Sequence, residues 1–344
     1  MPSMSAVGDR DRQPLLVVVG PTAAGKSTLA ETLAQSLDGQ LISADALQVY
    51  RGLDIGTAKP DATARARVAY HCVDVLDPGD RCTAGDYARR ARAAIAQVQQ
   101  QGQWPILVGG SGFYVQATVC GIKPLPASDP DWRRVLEQVR SRLGAAGLHG
   151  ALARLDPDRA AQLEPHDTQR VLRSLEVVLR TGVRFADLVG DRPPASLGEA
   201  AQEDPNALSA PLPGDVVWLG IDWPRQELYA RIERRVDSML AAGWLEEVQG
   251  LLESGLRPEA HALQAIGYRE LSAVARGEAD MAATRDSIVS ATRRYAKRQL
   301  SWFRRIQQIN WTTLSERGAG LPPEQAAAHI LARVRLAKLK LVSC

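Results

Sequence analysis

The chain has 344 residues, 45% of them hydrophobic and 24% charged, with a formal net charge of +3. That length buries one large core plus a smaller second unit, and so weak a positive charge neither requires nor excludes nucleic acid, so local clustering must decide. The polar stretch through Gln13 lacks an apolar signal core and no run approaches the ~18 apolar residues of a membrane span, which predicts a flexible N-terminus over residues 1–13 and a cytoplasmic protein, neither secreted nor membrane-bound. Cys72, Cys82, Cys120 and Cys344 show no CxxC pairing and no histidine at zinc spacing; they read as reduced thiols, and no zinc is expected.

The first predicted element is the apolar strand Leu15–Val19, followed by GPTAAGKS (Gly20–Ser27) and an apolar-periodic helix through Leu29 and Leu33. This is a P-loop in strand-loop-helix context. Gly20 and Gly25 permit the tight turn, the helix start adds its dipole, Lys26 adds a full charge, and the Ser27 hydroxyl is placed to ligand Mg²⁺. Thr22, Ala23 and Ala24 complete the anion cradle. The ligand is a diphosphate or polyphosphate.

Strand signals recur at Gln40–Asp45, Val68–Asp77 and Pro105–Gly110, with a helix capped by Thr83 running to about Gln101 between the last two. Alternating strands and helices predict an α/β fold, a P-loop NTPase-like parallel sheet flanked by helices. From Lys123 the texture becomes turn-rich and then helical, which predicts an inserted small helical domain over residues 123–214, with a mobile loop near 186–214. A strand returns at Val216–Asp222, and a helix-rich C-terminal part follows, so the core domain comprises residues 14–122 and 215–344. Between Arg285 and Arg305 seven Lys or Arg face the single acid Asp286, with Arg294 and Arg298 at helical spacing. That helix is either a solvated basic face or a contact surface for nucleic-acid phosphates.

An ordinary P-loop NTPase carries an acidic Mg²⁺ ligand at the end of a further strand, whereas ILVGGSG ends in glycines. The carboxylate in the suitable place is Asp45, at the end of the second strand, where it can reach both a metal and a second substrate. Its plain structural alternative is a turn cap.

The run DALQVYRGLDIGTAKP (Asp45–Pro60), taken with GPTAAGKS, GGSGFY (Gly109–Tyr114), AIGYRE (Ala265–Glu270) and AKRQLSWFR (Ala296–Arg304), resembles the bacterial tRNA dimethylallyltransferases, also called tRNA isopentenyltransferases. The resemblance spans Leu15 to Trp311. It implies transfer of a dimethylallyl group from dimethylallyl diphosphate to N6 of the adenosine 3′ of the anticodon, in tRNAs reading U-starting codons, with release of diphosphate and help from Mg²⁺. It implies donor binding by Thr22–Ser27 and metal contact by Ser27 and Asp45. Catalytic roles fall to Asp45 as general base, to Arg235 and to Ser111. Contact with the tRNA anticodon stem-loop falls to Asp45, Ala46, Leu47 and Gln48, to Arg133, to Gln169, Arg170, Val171, Leu172 and Arg173, and to Gln264, Ala265, Ile266, Gly267, Tyr268 and Arg269. No obligate protein partner is implied, and a monomer is expected.

Each assignment has a structural alternative: Arg235 could pair with Glu233 or Asp237, Ser111 could cap its helix, and Gln169 and Arg170 could be polar positions on an amphipathic helix. Ala46 stands where the family usually has Ser, and Ser111 where Thr is typical. The target adenine must leave its stack to meet the electrophile, which calls for a tunnel entered by the isoprenoid from the P-loop side and by the base from the other. The competing functions are an ATP-dependent small-molecule P-loop kinase and a non-catalytic, ATP-regulated RNA-binding protein.

Overall fold

A computed structural model describes residues 13–122, 125–126, 128–189, 208–316 and 320–342. The chain divides into two compact units, residues 1–121 with 211–344, and residues 122–210. The expected flexible N-terminus and most of the expected mobile loop lie outside the described residues. Among the described residues no helix is long and apolar enough to cross a membrane.

The first unit is built on six parallel strands, β1 (Leu15–Val19), β2 (Gly39–Ala44), β3 (Tyr70–His71), β4 (Trp104–Gly109), β5 (Val216–Asp222) and β6 (Asn310–Thr313), in the order β3-β2-β4-β1-β5-β6. β1 lies between β4 and β5, with Val17 opposite both Leu107 and Trp218. Both sheet faces are covered, so β1 and β4 are apolar throughout rather than alternating. Val17, Val19, Ile42 and Leu107 pack on one face with Tyr87, Trp244, Tyr268 and Phe303. Leu16, Val18, Leu41 and Ile106 pack on the other with Leu29, Leu33, Ile232 and Ile330. Since every strand is parallel, the loops after β1, β2 and β4 emerge on one edge, where open α/β sheets bind ligands.

Two departures from the sequence reading have local causes. The third strand, expected over Val68–Asp77, shrinks to Tyr70–His71, because Cys72 and Asp74 take left-handed φ values of 61° and 56° and turn the chain away. Asp74 then turns its carboxylate to Lys59 and Arg65. Within the C-terminal part, expected to be helix-rich, the sequence reading did not name β6, four residues that pair with Leu219–Asp222. Thr83 caps Ala84–Gln100 as expected, through a reciprocal bond with Asp86.

The second unit is helical. Pro130–Leu155, which bends at Gly144 (φ 69°), and Thr168–Thr181 enclose a core of Leu136, Leu148, Leu152, Leu163, Val171, Leu172 and Leu175. Beneath them lies Glu176, fully buried and paired with Arg133, Arg173 and Arg180. Burial alone would raise its pKa, but the Asp129 amide and Arg173 outweigh that and hold it below the usual carboxylate range.

Candidate active site

The P-loop is fastened by its carbonyls. Trp223 Nε1 donates to Ala24 O at 3.0 Å and Arg231 Nε to Ala23 O at 2.9 Å, while Gly25 at φ 85° turns the chain into helix Lys26–Leu37. The Thr22 amide donates to Gln299 Oε1 at 2.8 Å, and Gln299 Nε2 donates to Gly110 O at 2.9 Å. The buried carboxamide therefore ties the P-loop to the turn after β4. Lys26 Nζ donates to Pro21 O at 2.7 Å; burial and the neighbouring Arg235 lower its pKa to about 7, against an opposing pull from Asp45.

Asp45 follows β2 immediately, and its Oδ1 accepts the Leu47 amide at 2.9 Å. The turn-cap alternative thus accounts for one carboxylate oxygen, Oδ1, while Asp45 also lines the cavities described below. Three further anchors make the loop from Asp45 to Pro60 a rigid scaffold. Gln48 bonds Ser43, Thr57 and Ala58. The Lys59 ammonium, 2% exposed, reaches Tyr50 O, Asp54 and Asp74. Glu247 accepts the Asp54 and Ile55 amides at 2.8 and 2.7 Å and the Tyr268 hydroxyl at 2.7 Å.

Ser111 does not cap its own helix: its Oγ accepts the Ala46 amide at 3.1 Å, joining the turn after β4 to the Asp45 loop. Arg235 lacks the carboxylate partner that its neighbours suggested, since Glu233 pairs with Arg293 and Asp237 with Arg285. Among the described residues its guanidinium reaches only Thr57 O, at 3.5 Å. Burial lowers its pKa while Asp45 raises it.

These residues line two adjoining cavities. The first, about 290 Å³, holds Gly25, Lys26, Ser27, Gln48 and Gln299. The second, about 390 Å³ and mainly apolar, holds Ala46, Leu47, Ser111, Gln264, Ala265, Ile266 and Arg298. Thr22, Asp45, Thr57, Arg235 and Tyr295 line both. Tyr295, which sequence reasoning missed, is kept a phenol: burial and the Asp45 charge push its pKa up to about 12. It stands immediately before AKRQLSWFR and one helical turn before Gln299, and that spacing was the available signal.

Several residues carried over from the resemblance have structural surroundings of their own. Val171, Leu172 and Tyr268 are fully buried as core side chains. The Arg133 and Arg173 guanidiniums engage Glu176, and Gly267 is buried against Trp244. Gln169, Arg170 and Arg269 stay exposed, the two arginines beside Asp167 and Glu270.

The basic helix Met281–Phe303 and its end sort into two sets. Arg285, Arg293 and Arg304 pair with Asp237, Glu233 and Asp222. Arg294, Lys297, Arg298 and Arg305 are exposed, with no carboxylate partner among the described residues.

A parallel α/β P-loop fold with one carboxylate set between a phosphate cradle and an apolar chamber defines a group-transfer enzyme rather than an ordinary NTPase. The chain matches the family profile of the IPP transferases over residues 48–306. It is 43% identical over 297 residues to a tRNA dimethylallyltransferase of Geobacter sulfurreducens, covering 86% of this chain and 91% of that protein. Among solved structures it resembles a tRNA isopentenylpyrophosphate transferase of Bacillus halodurans, with a TM-score of 0.66 and 32% identity over 96% of this chain and 98% of the other. It also resembles a eukaryotic dimethylallyltransferase acting on tRNA, with a TM-score of 0.69 and 25% identity over 88% and 74% of the two chains. The chain belongs to the IPP transferase family.

Proposed function

We propose that this protein transfers the dimethylallyl group of dimethylallyl diphosphate to N6 of the adenosine 3′ of the anticodon, in tRNAs reading U-starting codons, and releases diphosphate. The observation that carries the reading is Asp45 at the junction of the two cavities. The donor's diphosphate fits the chamber with Lys26 and the helix start, and the adenine fits the chamber lined by Ala46, Leu47 and Ser111.

The chemistry follows from that division. As the allylic C1–O bond breaks, its electrons pass to the departing diphosphate, whose charge Lys26 and Arg235 offset in a site shielded from water. N6 then forms its bond to C1, and the N6 proton passes to Asp45 Oδ2. Ser111 holds the Asp45 loop at the chamber wall through the Ala46 amide.

Among the described residues no group of three or more His, Cys, Asp or Glu could hold a metal. Ser27 and Asp45 nevertheless line one chamber, and that sparse hard-oxygen set suits Mg²⁺, which commonly completes its shell with phosphate oxygens and waters. When bound, Mg²⁺ would supply charge neutralisation of the leaving group. The protein is read as a cytoplasmic monomer with no obligate protein partner.

The test is nucleoside mass spectrometry on unmodified tRNA incubated with the protein, Mg²⁺ and either dimethylallyl diphosphate or ATP. A dimethylallyl mass gain on adenosine with the first donor alone supports the transferase. No gain, with ATP consumed, would favour the kinase.

A further inference from the structure

Phe113 is 55% exposed, and every other exposed large apolar side chain among the described residues belongs to the second unit. It lies in the first turn of helix Gly112–Val119, two residues beyond Ser111, which lines the apolar chamber. Its ring is set against Trp302 at 72°, with centroids 6.4 Å apart. Gly112 makes this approach possible, because a Cβ there would lie 2.3 Å from Trp302 Cδ1. Trp302 is itself half-buried on the core beside Phe303. A ring in edge contact with a half-buried indole and more than half exposed offers an aromatic surface at little entropic cost.

The surroundings select what that face meets. Arg298 and Arg305 fall four residues before and three after Trp302, both exposed and, among the described residues, without a carboxylate partner. Arg298 also lines the chamber with Ser111 and Tyr295. An aromatic face among cations complements a nucleobase attached to phosphates. An adenine drawn out of its stack leaves the neighbouring base with a bare face, which an aromatic side chain can cover whatever the base's identity.

We propose that Phe113, backed by Trp302, is the stacking platform for the unpaired nucleobase next to the adenosine being modified, with Arg298 and Arg305 meeting the adjoining phosphates. This subsite rests on the tRNA reading above. It is distinct in role from the chemistry at Asp45, because it acts only while the RNA is held.

Steady-state transfer to an anticodon stem-loop RNA tests it, using Phe113→Ala, Phe113→Leu and Phe113→Tyr. Stacking on one aromatic side chain commonly changes affinity by about tenfold or more. Phe113→Ala and Phe113→Leu should therefore raise the KM for RNA about tenfold and leave the KM for donor unchanged, whereas Phe113→Tyr stays near wild type. An RNA made abasic at the nucleotide flanking the target should lose the same factor with the wild-type protein and nothing further with Phe113→Ala. An unchanged RNA KM in Phe113→Ala, full retention in Phe113→Leu, or additive losses with the abasic RNA would each overturn the platform. Absence of product with the wild-type protein would instead overturn the functional reading, and this proposal with it.

Discussion

Gln299 and Thr22 are 277 positions apart in sequence, yet the side-chain Oε1 of the first accepts the backbone N–H of the second at 2.8 Å. Through its Nε2 bond to Gly110 O the same carboxamide reaches the turn that carries Ser111. The helix bearing Arg294, Lys297 and Arg298 is thus hydrogen-bonded to the phosphate cradle. In Gln299→Met the side-chain volume is kept and both bonds vanish, leaving a buried amide and carbonyl unsatisfied at about 1–3 kcal/mol each. The account expects a lower melting temperature and a KM for the donor raised about tenfold, with the KM for RNA little changed. A donor KM equal to wild type, measured by steady-state transfer, would remove Gln299 from the positioning of the P-loop.

Lys26 predicts a proton linkage. With a folded pKa of about 7 against 10.5 for the free side chain, the folded protein has released this proton between those pH values while the unfolded chain retains it. Its contribution to stability therefore rises with pH across that window. Donor binding runs the other way, since a diphosphate restores the ammonium. Affinity for inorganic diphosphate should fall as pH rises above about 7, by at most tenfold per unit. Calorimetry at pH 8 in buffers of different ionisation enthalpy should show uptake of up to one proton, lost in Lys26→Gln. Buffer-independent heats would contradict the assignment.

The two sets of basic residues separate binding from stability. Neutralising Arg294 and Arg298 together should weaken tRNA binding and lower the slope of log K against log salt by about 1.5, with the KM for donor unchanged. Neutralising Arg293 and Arg304, whose charges meet Glu233 and Asp222, should shift the melting temperature and leave that slope alone. Affinity measured across a salt series distinguishes the two. An unchanged slope in the first pair would make the helix a solvated face.

What the sequence revealed was mostly local. The P-loop, the Thr83 cap and the place of Asp45 depend on residues within a few positions of one another, so spacing and residue type sufficed. Arg235 was ambiguous in one dimension because Glu233 and Asp237 flank it; only the packing of Met281–Phe303 on Arg225–Ala241 shows that Arg293 and Arg285 occupy those acids. Gln299 and Glu247 act across more than 180 residues and leave no local trace. Motif transfer carried whole segments, and within them Val171, Leu172 and Tyr268 are the apolar, buried members. The third strand failed for a different reason, since two non-glycine residues in left-handed conformation are not legible from β-propensity.

Asp45→Asn tests the central claim most directly, because the amide oxygen can still accept the Leu47 N–H that orders the loop while the proton acceptor is removed. Single-turnover transfer, with protein in excess over tRNA and saturating dimethylallyl diphosphate, should slow by about 10²–10⁴-fold, with tRNA affinity within about twofold of wild type. Transfer at the wild-type rate, with weakened tRNA binding, would contradict Asp45 as the base and make it a binding residue instead.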